Sequence, residues 1–239
     1  MASCAPSSGK PRSARASFAV SRSARSASST SASTELIRIG YPSIPARMQA
    51  PDWRSAFTLM VEGILQDAAD AGAPVPADRV RDVLSAHGSA LDACTTASVV
   101  HGDLWAGNLF LDSAQRIVGL IDTERTLWGD PLFDLIGADQ FGLWNVDPDL
   151  LEGNTEHGGI LAAELASPTG PTRFALYRLY FSVILVTEIS VRDYEGEWVA
   201  EHRKSAEGML AAVLQRFDEL APTNTTTSAL GVRESNPQG

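Results

Sequence analysis

Lysine is almost missing from this sequence: of its 19 basic residues only Lys10 and Lys204 are lysines. A site that needs a lysine to hold phosphate oxygens therefore has almost nowhere to find one. Cysteine is equally scarce, with Cys4 and Cys94 alone. Two cysteines that far apart make no disulfide scaffold and fit no closely spaced metal pattern, so a reducing compartment, the cytoplasm, is expected. No uninterrupted apolar run approaches the roughly 18–20 residues needed to span a bilayer. The nearest, FALYRLYFSVILV at 174–186, is short and contains Arg178. The N-terminus also lacks the apolar core of a secretory signal. No membrane partner is expected.

Acids are absent from residues 1–34, which are mostly Ser, Ala and Arg. The net charge of −10 divides into +6 over residues 1–50 and −16 over 51–239. So acidic a body disfavours nucleic acid and suits a cationic ligand or Mg2+. The basic arm has no aromatic–basic recognition pattern, so no nucleic-acid partner is expected. Its composition cannot bury a core and predicts disorder over 1–45, with at most one short strand in TELIRIGYPSIP at 34–45. An unstructured tail is predicted for 221–239.

Between these ends the pattern is mainly helical. Phe57, Met60, Val61, Ile64, Leu65 and Ala68 recur on one helical face from about Asp52. A second helix is predicted over 77–92, with His87 on its packed side. SVV at 98–100, LFL at 109–111 and IVGLI at 117–121 read as short strands, the last two joined by a turn over 112–116. A helix starting at a proline is expected over 131–141. Residues 142–171 read as turns with a short helix near 159–166, and longer helices follow over 172–190 and 195–219.

The chemistry sits around the strands. HGDLWAGN at 101–108 places an aspartate and an asparagine in a loop, and LIDTE at 120–124 places Asp122 just past a strand end. Phosphoryl transfer needs an oriented hydroxyl, a divalent metal, and groups that hold phosphate oxygens. Mg2+ takes a few protein oxygens and keeps waters, so a loop asparagine and a strand-end carboxylate suit it. Asp103 would orient and deprotonate the acceptor hydroxyl, while Asn108 and Asp122 would hold Mg2+.

These segments resemble the aminoglycoside phosphotransferase-like family, relatives of protein kinases, with fructosamine kinase-like features in HGDLW. Asp103 and Asn108 match the kinase loop's base and metal asparagine, five positions apart. Asp122 takes the place of the magnesium aspartate. WGDPLFDL resembles the family's GDPxxDL segment, whose second aspartate, here Asp134, supports the catalytic loop by hydrogen bonds. His101 is expected to brace the same loop. The resemblance covers about 50–220. It implies an α+β fold: over 46–220, a mainly helical C-terminal lobe of a protein-kinase-like fold with a short β-hairpin.

The resemblance also implies a preceding lobe with a glycine-rich phosphate loop and an ATP-contacting lysine. Before residue 50 the sequence offers one strand, no such loop, and only Lys10, so that lobe is expected to be absent or truncated. The apolar face it would cover should then be exposed and favour self-association. The implied activity is ATP-dependent phosphorylation of a small-molecule hydroxyl, such as an aminoglycoside or related amino sugar, with ATP and Mg2+ as cofactors. A noncatalytic ligand-binding or regulatory pseudokinase and an inactive truncated phosphotransferase remain the alternatives. Asp139, Asp147, Asp149, Glu152 and Glu156 read either as attractors of a cationic acceptor or as solvated acids. Asp130 is expected to fix the turn before Pro131, and Trp105 to pack the loop or else touch the acceptor. Trp128 and Trp144 read as core or surface packing, or as a pocket lining, and Glu124 as structural, solvent-facing or near the metal through water.

Overall fold

The first helix, α1 (Trp53–Asp70), begins where the sequence supplies a cap. The Asp52 side chain accepts from the Ser55 amide at 2.8 Å and from its hydroxyl at 2.9 Å. Such a cap is worth about 1 kcal/mol. In the computed structural model, which describes residues 39–42, 48–138, 144–192 and 194–220, α1 buries Trp53, Ala56, Phe57, Met60, Val61, Leu65 and Ala68. Five of the six predicted face residues are buried, Ile64 is partly buried against the core, and Trp53 and Ala56 widen the face.

The second helix, α2 (Ala77–His87), ends earlier than predicted and runs on as a 3-10 turn over Gly88–Ala93. His87 is buried and its ring packs on Phe217, with centroids 5.1 Å apart. Three short strands fall where the sequence placed them: β3 (Ser98–Val100), β4 (Leu109–Leu111) and β5 (Ile117–Leu120). Strands β1 (Ile39–Gly40), β2 (Gln49–Ala50) and β6 (Leu127–Gly129) complete the β structure, and β1 lies in the one segment before residue 46 predicted to hold a strand. A four-stranded antiparallel sheet has the order β2-β1-β6-β3, while β4 and β5 form a separate hairpin. The rest of the predicted disordered segment 1–45, and the predicted tail 221–239, lie outside the described residues.

The helix predicted over 131–141 opens as a 3-10 turn at Pro131–Phe133 and continues as α3 (Asp134–Ala138). Residues 142–171 hold more helix than predicted: α4 (Pro148–Glu156), capped by Asp147, precedes α5 (Leu161–Leu165). The long helices α6 (Gly170–Val191) and α7 (Trp198–Glu219) pack on each other, and α6 also lies against α1 and α2. By length and composition α6 could cross a membrane, yet 72% of its apolar window is buried inside the domain. Its hydrophobicity serves the core.

That core centres on interlocked rings. Trp53, Phe57, Phe133, Tyr177 and Tyr180 meet at centroid separations of 5.3–6.4 Å, mostly edge-on or tilted. Gly129 lets α1 approach the sheet, because a Cβ there would lie 2.4 Å from the Trp53 ring. The result is a mainly helical domain with a small antiparallel sheet, the α+β class read from the sequence.

Candidate active site

The loop after β3 is built from short backbone bonds. Trp105 N–H donates to the Asp103 carbonyl at 3.1 Å, and Asn108 N–H donates to the Trp105 carbonyl at 3.0 Å. Gly102 has φ +78°, and a Cβ there would sit 2.6 Å from the Arg125 carbonyl oxygen. Glycine is therefore required twice over, by backbone conformation and by space.

His101 is 6% exposed and sits between two groups. Its Nε2 lies 3.0 Å from the Ile121 carbonyl, and its Nδ1 accepts the Asp103 amide at 3.3 Å. A carbonyl can only accept and an amide can only donate, which assigns the proton to Nε2. With both nitrogens committed to backbone, His101 links the end of β5 to the 101–108 loop.

Asn108 is 5% exposed, and its Nδ2 donates to the Asp103 carbonyl at 2.8 Å and faces Asp103 Oδ2 at 3.4 Å. Both neighbours are oxygens, so the amide nitrogen must face them and Oδ1 is turned elsewhere. The Asn108 carbonyl accepts the Ile121 amide at 3.1 Å, and Asp122 is the residue after that bond. Asp122 is exposed and left-handed, with φ 63° and ψ 56°, a conformation aspartate tolerates better than most residues. A 3-10 turn over Thr123–Arg125 follows it.

Asp134 reaches the loop from α3. Its Oδ1 accepts the Gly102 amide at 3.0 Å. Burial pushes its carboxyl above the ordinary aspartate range, opposed by the Gly102 and His101 backbone amides. Gly137, one turn further along α3, permits the approach, since a Cβ there would meet the Leu104 nitrogen at 2.4 Å.

Hydrogen bonds therefore join His101, Asp103, Asn108 and, through Gly102, Asp134, while Asp122 follows Ile121, whose backbone His101 and Asn108 hold. Among the described residues no three His, Cys, Asp or Glu cluster as a metal site. The donor set is instead one buried amide oxygen and one exposed carboxylate. That fits Mg2+, which uses one or two protein oxygens beside phosphate and water.

Other expectations fare variously. Asp130 does fix its turn, accepting the Leu132 amide at 2.9 Å. It is also fully buried in a network absent from the sequence reading. Arg173 Nη1 bonds Asp130 Oδ2 at 2.5 Å and its Nη2 bonds Glu164 at 2.6 Å. Tyr177 donates to the same Asp130 oxygen at 2.6 Å and accepts from Trp53 Nε1 at 2.8 Å. The available signal was Arg173 in the first turn of a mostly apolar helix. Cys94 lies nearby as a free thiol, pushed up to about 12 chiefly by burial.

Trp105 is not packed inside the loop but stands 45% exposed, its ring over Gly107. Trp128 and Trp144 are also exposed, and Arg216 lies over the Trp144 ring at 5.8 Å. Asp147, Asp149, Glu152 and Glu156 are exposed on or beside α4, where Asp147 caps the helix, and Asp139 lies outside the described residues. Glu124 is exposed, and Lys204 is exposed on α7. The β4–β5 hairpin exposes Phe110, Leu111, Val118 and Leu120, with Ile121 just beyond it.

Solved structures of similar shape include a thermostable mutant of aminoglycoside phosphotransferase APH(4)-Ia in ternary complex with AMP-PNP and hygromycin B. It is 17% identical with a TM-score of 0.47, covering 69% of this chain and 52% of that one. The crystal structure of aminoglycoside phosphotransferase APH(4)-Ia is 16% identical with a TM-score of 0.45 over the same shares, 69% and 52%. The chain thus spans about half the length of these structures. No curated protein gives a significant match. The model of the phosphotransferase enzyme family matches residues 39–177, from β1 into α6 and across the whole loop, hairpin and GDPLFD segment. The chain belongs to the phosphotransferase enzyme family.

Proposed function

We propose that this domain carries the acceptor and metal half of an ATP-dependent phosphotransferase acting on a small-molecule hydroxyl. The observation that carries this reading is the Asn108 amide. Its nitrogen is fixed on Asp103 and its main-chain carbonyl on the strand leading to Asp122. One residue thereby couples, by side chain and main chain, the residue suited to take a proton with those suited to hold a metal.

The Asp103 carboxylate takes the proton of the acceptor hydroxyl as that oxygen bonds to the γ-phosphorus of ATP and ADP departs. Asn108 Oδ1 and the Asp122 carboxylate would hold Mg2+, which supplies charge neutralisation on the phosphate oxygens. His101 and Asp134 keep the loop backbone in place through Ile121 and Gly102. The acceptor class is an amino sugar such as an aminoglycoside, favoured by the −16 charge of residues 51–239. The cytoplasm is the expected compartment. A second copy covering the exposed hairpin is the expected self-association, read by sedimentation with Val118→Thr as the disrupting variant.

The test uses the purified chain and D103N with Mg-ATP and a panel of amino-sugar alcohols. Acceptor-dependent ADP release that falls about 10²-fold or more in D103N supports the reading. Mg-ATP binding without transfer across the panel would favour a regulatory pseudokinase. No nucleotide binding at all would sink both for this chain.

A further inference from the structure

The turn that carries Asp122 is tied to the helical core by a residue outside every motif above. Arg125 is the last residue of that turn, and its Nη2 lies 2.7 Å from Glu188 Oε1 on α6, 63 positions away in sequence. Both side chains are about three-quarters buried, with exposures of 23% and 25%. The same Glu188 oxygen accepts from Arg192 Nη2 at 2.9 Å, so the carboxylate is held from two sides. The Arg125 backbone is confined as well, because Gly102 packs against its carbonyl with no room for a Cβ.

This tie matters because the turn's first three residues have no buried side chain to fix them: Asp122, Thr123 and Glu124 are all exposed. The turn's internal bond is the Thr126 amide on the Thr123 carbonyl at 3.0 Å. From the hairpin side it is anchored through Ile121, on His101 and Asn108. From the other side its side-chain anchor to the helices is Arg125 on Glu188.

We propose that Glu188 is a positioning residue: through Arg125 it fixes the far end of the Asp122 turn and so sets where the Asp122 carboxylate points. The role in metal binding rests on the phosphotransferase reading, but the tether itself does not. Glu188 touches no reacting atom. Its effect on the metal is geometric, and geometry can be separated from charge. Removing an acid near a cation site weakens binding by field alone, whereas removing a nearby arginine strengthens it. Loss of a strut weakens binding in both cases.

The experiment compares wild type, E188A, R125Q, R125K and R192A in two measurements. The first is amide hydrogen exchange at Thr126 in the ligand-free chain, with α6 core amides as the internal reference. The expected result is roughly tenfold faster Thr126 exchange in E188A and R125Q, near wild-type exchange in R125K and R192A, and unchanged α6 amides. The second is Mn2+ binding in the presence of AMP-PNP. E188A and R125Q should both lose about tenfold in affinity, the scale for partners that orient a metal ligand. Unchanged Thr126 exchange in E188A overturns the proposal. So does tighter Mn2+ binding in R125Q beside weaker binding in E188A, which is the signature of field alone. If wild type takes up no Mn2+ while E188A still frees Thr126, the tether stands and the phosphotransferase reading falls.

Discussion

Two arginine–carboxylate pairs hold this domain's functional segments, and they do so in opposite surroundings. Arg173 and Asp130 meet at 2.5 Å with exposures of 1% and 0%, beneath the aromatic core. Arg125 and Glu188 meet at 2.7 Å at the edge of the domain, at 23% and 25%. Water is gone from the first pair, so its partners depend on each other for solvation as well as attraction. Water still reaches the second, which softens the interaction and leaves it easy to break. The inner pair fixes the segment leading to Asp134 as part of folding itself. The outer pair links an exposed turn to α6 at the edge of the domain.

The sharpest way to break this contrast is to empty one side of the inner pair. Arg173→Met leaves Asp130 buried without its cation and should cost about 3–5 kcal/mol in urea unfolding. Tyr177→Phe removes one donor from Asp130 and the acceptor of Trp53, and should cost about 1–3 kcal/mol by the same measurement. Asp134 comes next. D134A leaves the Gly102 amide without its acceptor and should cost about 1–2 kcal/mol, while D134N keeps an oxygen there and should cost less.

Acid titration adds a second measurement on both variants. The raised pKa of Asp134 means the folded chain binds its proton more tightly than the unfolded chain does. Its contribution to stability is fully present below the unfolded value of 3.8 and is lost as pH rises through the folded value. Both D134N and D134A should abolish that slope, but only D134N should keep the loop bond. Smallest of all, E188A should shift global stability by about 1 kcal/mol or less. An E188A effect as large as that of Arg173→Met would erase the distinction between the two pairs.

Much of the architecture was readable before any coordinates. The apolar face of α1 recurs at helical spacing, and β3, β4 and β5 stand out as short apolar runs between turn residues. The GDPLFD segment and HGDLWAGN loop pack their functional residues into a few positions, so spacing alone brings Asp103 and Asn108 together. What escaped was either short or distant. β6 has only three residues, set among charged and turn-forming neighbours, and it is strand because β1 and β3 flank it. α4 contains Gly153 and Asn154, poor helix formers, yet both are buried there. The Asn154 Oδ1 accepts the Leu161 amide at 3.0 Å, which ties α4 to α5. Arg173 and Glu188 reach their partners across 43 and 63 residues, separations no local pattern encodes. Trp105 shows the reverse failure: an aromatic in a tight loop suggested packing, but the small Gly107 beside it gives the ring a seat on the surface.

The Cys94 thiol gives this architecture a reporter. With its pKa pushed up to about 12, mainly by burial and next by the charge of Asp130, almost no thiolate exists while the fold is closed. At pH 8 the reactive fraction is on the order of one in ten thousand, against a substantial share for a free thiol. In a chain carrying Cys4→Ser, alkylation of the half-buried Cys94 would report on its surroundings, and faster labelling in Arg173→Met than in the parent would mark a loosening around Asp130.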